Sequence, residues 1–246
     1  MTVTCEADAV VLDIEGTTSA TAFVTEVLYP YSRRRFGALL NERNQEADVR
    51  RAVDQVRRLL GDPQADMTRV ETALHTWLAE DRKVTPLKTL QGIAWAEGFA
   101  RGELASHFYD DVAPALRQWH SEGVRLHVYS SGSVAAQRAW FAHSTSGDLS
   151  PLIDGLFDTE NIGPKQSSAS YRAISEALTT PPGRTLFLSD RPAELDAARA
   201  AGWLTVGVRR PGEPYHRHGT GGHPLIESFA DVRVRRTHGE DARNPR

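Results

Sequence analysis

The chain has 246 residues, 40% of them hydrophobic and 25% charged, and a formal net charge of -3. These fractions fit a globular protein with a sizeable core and exclude a disordered chain, which would carry fewer apolar residues or more net charge. A pI near 6.3 argues against a general nucleic-acid binder, and no apolar run approaches the roughly 20 residues of a membrane span.

The single cysteine, Cys5, excludes an intrachain disulfide and a thiolate zinc cluster. The N-terminal stretch MTVTCEADA lacks a positive region followed by an apolar one, so no signal peptide is expected and the cytoplasm is the expected compartment. Of the 29 basic residues only three are lysines, Lys83, Lys88 and Lys165. Arginine-rich coding is the plain explanation. Each remaining lysine still marks a place where ammonium and guanidinium differ in shape, hydration and pKa range.

In chain order, the first strong element is Ala9-Val10-Val11-Leu12-Asp13-Ile14, an apolar run of the kind buried inside a parallel sheet. It ends in the polar turn Glu15-Gly16-Thr17-Thr18-Ser19. Residues 20–122 read as helical. Val49, Val53, Val56 and Leu60 recur at helical spacing before Gly61-Asp62-Pro63; so do Met67, Val70, Leu74, Trp77 and Leu78, and then Leu87, Leu90, Ala94 and Trp95. Val112, Leu116 and Trp119 form a further helix face that ends at Gly123.

The pattern then changes. Val124 to Tyr129 alternates like a strand and runs into Ser130-Ser131-Gly132-Ser133, with a helix after it through Phe141. A helix over 168–178 is broken by Pro181-Pro182-Gly183. The strand Thr185-Leu186-Phe187-Leu188 ends at Ser189-Asp190. A helix over 193–202 precedes the strand Leu204 to Val208. Strands alternating with helices predict a parallel α/β sheet, interrupted after its first strand by a helical insert. The segment holding His216, His218 and His223 is Gly-rich and reads as a surface loop in preference to a metal site. The polar chain after about Val234 is expected to be disordered.

Ligands of open α/β sheets bind beyond the carboxyl ends of the strands. There this sequence places Asp13 with Glu15, then Ser130 and Ser131, then Asp190, with Lys165 in the turn between the last two. Two carboxylates at neighbouring strand ends suit Mg²⁺, with water and a substrate phosphate completing its shell. A carboxylate can attack phosphorus to give an aspartyl-phosphate. A hydroxyl, backbone N–H groups and a lysine can hold phosphate oxygens. A second carboxyl can protonate the leaving oxygen and then activate water. Singly, each residue reads as a cap, a turn or a surface charge. In order, each after its own strand or turn, they are the parts of a phosphatase.

These motifs resemble the haloacid dehalogenase-like (HAD) hydrolase superfamily: Leu12-Asp13-Ile14-Glu15-Gly16-Thr17 for its first motif, Ser130 for its second, Lys165 for its third and Asp190 for its fourth. The fourth motif of that superfamily carries one or two acids. The resemblance implies a Rossmann-like parallel-sheet core, 1–19 and 113–234, with a helical cap over 20–112 that covers the site, and a tail over 235–246. Glu15 departs from the usual Asp of the first motif. That change is similar to the enolase-phosphatase (acireductone synthase) subfamily of methionine salvage. Asp81-Arg82-Lys83, Leu87-Lys88-Thr89-Leu90-Gln91-Gly92, Tyr129 to Val134 and Phe187-Leu188-Ser189-Asp190 also resemble that subfamily.

The resemblance implies that 2,3-diketo-5-methylthiopentyl-1-phosphate is enolised and then dephosphorylated to 1,2-dihydroxy-3-keto-5-methylthiopentene, with Mg²⁺, by a monomer. On that footing Asp13 is the nucleophile and a metal ligand. Glu15 is the acid/base and offers its carbonyl to the metal, Asp190 is the second carboxylate ligand, and Ser130, Ser131 and Lys165 bind phosphate. Lys83, Lys88 and Gln91 are either substrate contacts from the cap or exposed helix residues. Two other functions remain open at this point: a phosphatase of the same superfamily for another small phosphomonoester, and a silent binding module, against which the intact motifs speak.

Overall fold

A computed structural model describes residues 2–82, 84–217 and 221–236. Lys83, His218 and the expected tail from residue 237 onward lie outside the described residues. The chain forms two compact units, Met1–Thr21 with Ser106–Arg246, and Ala22–Ala105.

The first unit opens with β1 (Val3–Glu6) and β2 (Ala9–Leu12). The short α1 (Thr21–Phe23) leads to a π-helical stretch, Val24–Leu28, and then to α2 (Tyr29–Glu42), α3 (Ala47–Leu60), α4 (Met67–Ala79) and α5 (Thr85–Ala100). The first unit resumes with α6 (Val112–Ser121), β3 (Arg125–Ser130), α7 (Val134–Ala142), β4 (Gly155–Asp158), α8 (Ser168–Leu178) and β5 (Thr185–Ser189). It ends with α9 (Pro192–Ala200), β6 (Leu204–Val208), β7 (Leu225–Ile226) and β8 (Val232–Arg235). No helix of the described residues is long and apolar enough to cross a membrane.

Six parallel strands make the main sheet in the order β4-β3-β2-β5-β6-β7. Leu12 stands opposite Val128 on one side and Leu188 on the other. From β2 the chain builds outward through β3 and β4, then crosses to β5 and builds the other way. That reversal beside β2 opens a crevice at the carboxyl ends of the strands. Every residue of β2 and of β5 is buried, which is why both strands read as continuous apolar runs. On one face Val11, Tyr129 and Phe187 pack with Tyr171 and Ile174 of α8 and Leu195 of α9. Tyr171 meets the rings of Tyr129, Phe187 and Trp203 edge-on, at 5.6, 5.3 and 5.2 Å between centroids.

β1 and β8 form a separate parallel pair, with Val3 opposite Val232 and Glu6 opposite Arg235. Arg235, the first residue of the expected tail, is therefore held in a strand. The second unit has its own core. Phe36 and Leu40 of α2, Val53 and Val56 of α3, and Leu74 and Trp77 of α4 meet Leu87 and Leu90 of α5. Asp66 caps α4 by accepting the Arg69 N–H, and Gly61, at φ 65, ends α3 in the left-handed conformation that glycine adopts without strain. Within this unit Lys88 is exposed on α5, whereas Gln91 is buried, so the reading of Gln91 as an exposed helix residue does not hold.

The units divide at 21/22 and 105/106, inside the expected insert of 20–112. Residues 106–112 stay with the first unit because their polar groups bond into it. Ser106 Oγ donates to the carbonyl of Trp140, and the Tyr109 N–H donates to the carbonyl of Thr18 at 3.0 Å. The buried carboxylate of Glu213 joins the two crossing segments. Its Oε1 accepts the Thr21 N–H at 3.0 Å and the Tyr109 hydroxyl at 2.7 Å. Beside it, buried Arg210 gives Nη1 to both oxygens of Asp111 at 3.0 and 2.9 Å, and its guanidinium lies 4.3 Å from the Tyr109 ring centroid.

Candidate active site

Asp13 follows the last residue of β2, and its carboxylate is held at both oxygens. Lys165 Nζ approaches Oδ1 at 2.5 Å, and Thr17 Oγ1 donates to Oδ2 at 2.9 Å. Thr17 is fully buried. Its hydroxyl also accepts the N–H of Asp190 at 3.0 Å, so one side chain ties the end of β2 to the end of β5. The turn itself closes through the N–H groups of Thr17, Thr18 and Ser19, which converge on the carbonyl of Ile14.

Lys165 is buried. Its ammonium lies between Asp13 Oδ1 and Glu194 Oε2, the latter at 2.7 Å. Burial alone would lower its pKa. The two carboxylates outweigh that, the pKa rises, and the ammonium stays charged. The backbone around it is braced, because the Tyr171 hydroxyl donates to the Lys165 carbonyl at 2.8 Å and the Tyr129 hydroxyl to the Gly163 carbonyl at 2.7 Å. Glu194 Oε2 also accepts the Ser189 hydroxyl at 3.0 Å.

A cavity of about 270 Å³ opens on these groups. Asp13, Glu15, Ser130, Ser131 and Lys165, five of the six expected site residues, line it. Ser130 is buried at the end of β3, Ser131 is exposed at the following turn, and the Glu15 side chain is exposed. The turn is stiff. Asp158, at the end of β4, accepts the N–H of Val134 at 2.9 Å, and Gln137 donates to the carbonyls of Gly132 and Phe157. The sixth expected residue, Asp190, is buried behind the lining.

Two acceptors of Asp190 bear on a metal. Oδ1 is buried with no hydrogen-bond partner, and a Cβ placed on Gly16 would come within 2.2 Å of Oδ2. Gly16, at φ 75, is thus required twice over, by its left-handed turn and by this close approach. Burial, then the Asp13 and Glu194 charges, push the Asp190 carboxyl up to about 8. Among the described residues no three His, Cys, Asp or Glu side chains gather into a metal cluster. The donors that could meet a hard divalent cation are the carboxylates of Asp13 and Asp190, with water, a backbone carbonyl and substrate oxygens to complete the shell.

Sequence reasoning missed three side chains here. Glu194 reads as an ordinary acid in the first turn of a helix that begins with Pro192, although a fourth motif with two acids allowed for it. Thr17 lay inside the quoted motif without a role. Arg191, which lines the cavity, reads as a surface arginine. Elsewhere, the expected histidine loop is partly a packed element. His223 is buried, with its ring nitrogens 2.7 Å from Thr205 Oγ1 and 3.1 Å from Asp196 Oδ1.

Residues 7–202 match the family model of haloacid dehalogenase-like hydrolases. A curated protein named enolase-phosphatase E1 from Streptomyces avermitilis is 70% identical over 94% of this chain and 96% of its own length. One of the same name from Frankia alni is 54% identical over 93% and 96%. Among solved structures, the UTR4 protein of Saccharomyces cerevisiae superposes with a TM-score of 0.76 at 30% identity, covering 91% of this chain and 99% of that one. CbbY from Rhodobacter sphaeroides shares the fold at 21% identity, with a TM-score of 0.58 over 93% of this chain.

Proposed function

The chain belongs to the haloacid dehalogenase-like hydrolases and, among them, to the phosphatases named enolase-phosphatase E1, and from this premise we propose that it converts 2,3-diketo-5-methylthiopentyl-1-phosphate through its enol to the acireductone of methionine salvage. The observation that carries this reading is the Asp13 carboxylate, fixed by Lys165 at 2.5 Å and Thr17 at 2.9 Å at the wall of a cavity that Glu15 also enters.

Asp13 is the nucleophile. One of its carboxylate oxygens attacks phosphorus, the bond from phosphorus to the substrate oxygen breaks, and that oxygen takes a proton from Glu15. Water then attacks the phosphorus of the aspartyl-phosphate and gives its proton to Glu15. The bond to Asp13 breaks and inorganic phosphate leaves. Ser130 and the Ser131 N–H bind phosphate oxygens, and Lys165 offsets the charge that gathers there. Asp13, Asp190 and the Glu15 carbonyl would hold Mg²⁺, which would supply positive charge in the phosphate's surroundings. Enolisation moves a proton from carbon to a carbonyl oxygen, and Glu15 is one candidate base for it.

The test is a Mg²⁺-dependent assay on the diketone phosphate that follows enol absorbance and phosphate together. Appearance of both, and loss of phosphate release in Asp13→Asn, support the reading. Failure to release phosphate overturns it. A higher kcat/KM on a common sugar phosphate makes the protein a different phosphatase of the same fold.

A further inference from the structure

The cavity's two cations are placed differently. Lys165 is buried, and two carboxylates at 2.5 and 2.7 Å already engage its ammonium. That leaves it one N–H for anything else. Arg191 begins just after Asp190 at the start of α9, and its side chain is 46% exposed. Its fork is nevertheless aimed. Nη2 donates to the Tyr215 hydroxyl at 3.1 Å, the guanidinium carbon lies 5.2 Å from the Tyr215 ring centroid, and Nε stands 3.7 Å from Glu194 Oε1. Nη1 has no protein partner among the described residues.

The charges around the cavity sharpen the contrast. Lys165 and Arg191 are the cations that line it among the described residues, and the carboxylates of Asp13, Glu15 and Glu194 line it with them. A phosphate dianion entering among these acids is favoured by a second cation beside Lys165. A guanidinium offers paired N–H groups matched to phosphate geometry and stays charged at any working pH. Tyr215 pre-pays part of the cost of ordering it.

Resting on the phosphatase reading above, we propose that Arg191, steadied by Tyr215, is a binding residue for the phosphate of the substrate, reaching its oxygens with Nη1. A charge-assisted contact at a half-exposed site is worth about ten-fold in affinity.

The test uses the full chain with Mg²⁺. Inorganic phosphate is the probe, read by calorimetry and as a competitive inhibitor, alongside KM and kcat for the diketone phosphate. Arg191→Met weakens phosphate binding and raises KM by about ten-fold, with a smaller effect on kcat, and Arg191→Lys falls between. Tyr215→Phe gives a smaller shift in the same direction. Arg199→Met removes the same charge from an exposed α9 position that does not line the cavity, and it leaves phosphate affinity within about two-fold. Equal losses in Arg191→Met and Arg199→Met overturn the proposal in favour of a general field. A KM increase with unchanged phosphate affinity overturns it in favour of contact with the diketone end. Phosphate binding is measured without turnover, so failure of the diketone substrate does not decide this test.

Discussion

Arg210 Nε donates to the carbonyl of Thr17 at 3.0 Å, across 193 residues of chain. The hydroxyl of that same Thr17 positions Asp13 and Asp190. Arg210 is therefore a positioning residue for the loop of Asp13, the proposed nucleophile, clamped in turn by Asp111 and the Tyr109 ring. Arg210→Met leaves Asp111 without its buried cation and should cost about 2–4 kcal/mol, read by urea unfolding. Arg210→Lys keeps the charge but loses the fork. It should lower kcat more than it raises KM, and an unchanged kcat would remove the positioning role.

Lys165→Arg tests the compact ammonium. The space between Asp13 and Glu194 leaves the Lys165 side chain 7% exposed, and a planar guanidinium cannot enter it without moving one carboxylate. Phosphate release should fall by about 100-fold or more while the purified protein remains folded by circular dichroism. Full activity in this variant would show that any cation suffices.

Mg²⁺ should stabilise the chain, because binding to the native state alone shifts unfolding by mass action, by about 2.7 kcal/mol at a hundred-fold excess over Kd. Thermal melts with and without chelator measure this. Asp190→Asn should abolish most of the Mg²⁺-dependent rise in Tm. A rise equal to that of the unaltered protein would place the metal elsewhere.

His127 links stability to pH outside the cavity. It lies in β3 with neither ring nitrogen hydrogen-bonded, and a Cβ on neighbouring Gly155 would come within 2.8 Å of Nδ1. Burial lowers its pKa to about 4, with the Asp154 carboxylate opposing and Arg125 adding to the fall. The unfolded chain, with a pKa near 6.5, binds more protons in between, so stability is full above about pH 6.5 and is lost as pH falls toward 4. Urea unfolding should lose about 2 kcal/mol between roughly pH 7.5 and 5 through this group. His127→Phe should remove that part of the slope.

Four of the six main-sheet strands were legible: β2 and β5 as apolar runs buried on both faces, β3 from its alternation, and β6 as a short Val- and Leu-containing stretch after the helix that ends near Gly202. The others lacked that signal. β4 is Gly-Leu-Phe-Asp and partly buried, β7 has two residues, and β1 and β8 alternate buried or half-buried with exposed positions over four residues each. At the site, motif spacing located Asp13, Glu15, Ser130, Ser131, Lys165 and Asp190. It carried no trace of Arg210 or Glu213, whose meaning depends on contacts between segments far apart in the chain.

The Glu213 carboxylate has an evolutionary consequence. Because one acceptor takes a donor from the outgoing segment, at Thr21, and another from the returning one, at Tyr109, the chain leaves and re-enters its α/β unit at a single stitched point. Everything between residues 22 and 105 is then, to that unit, no more than a long excursion whose ends already meet. Lengthening such an excursion costs little closure entropy. Recombination could therefore exchange or discard it without asking the phosphate site to refold, and a catalytic core of this design can acquire new substrates by changing its passenger.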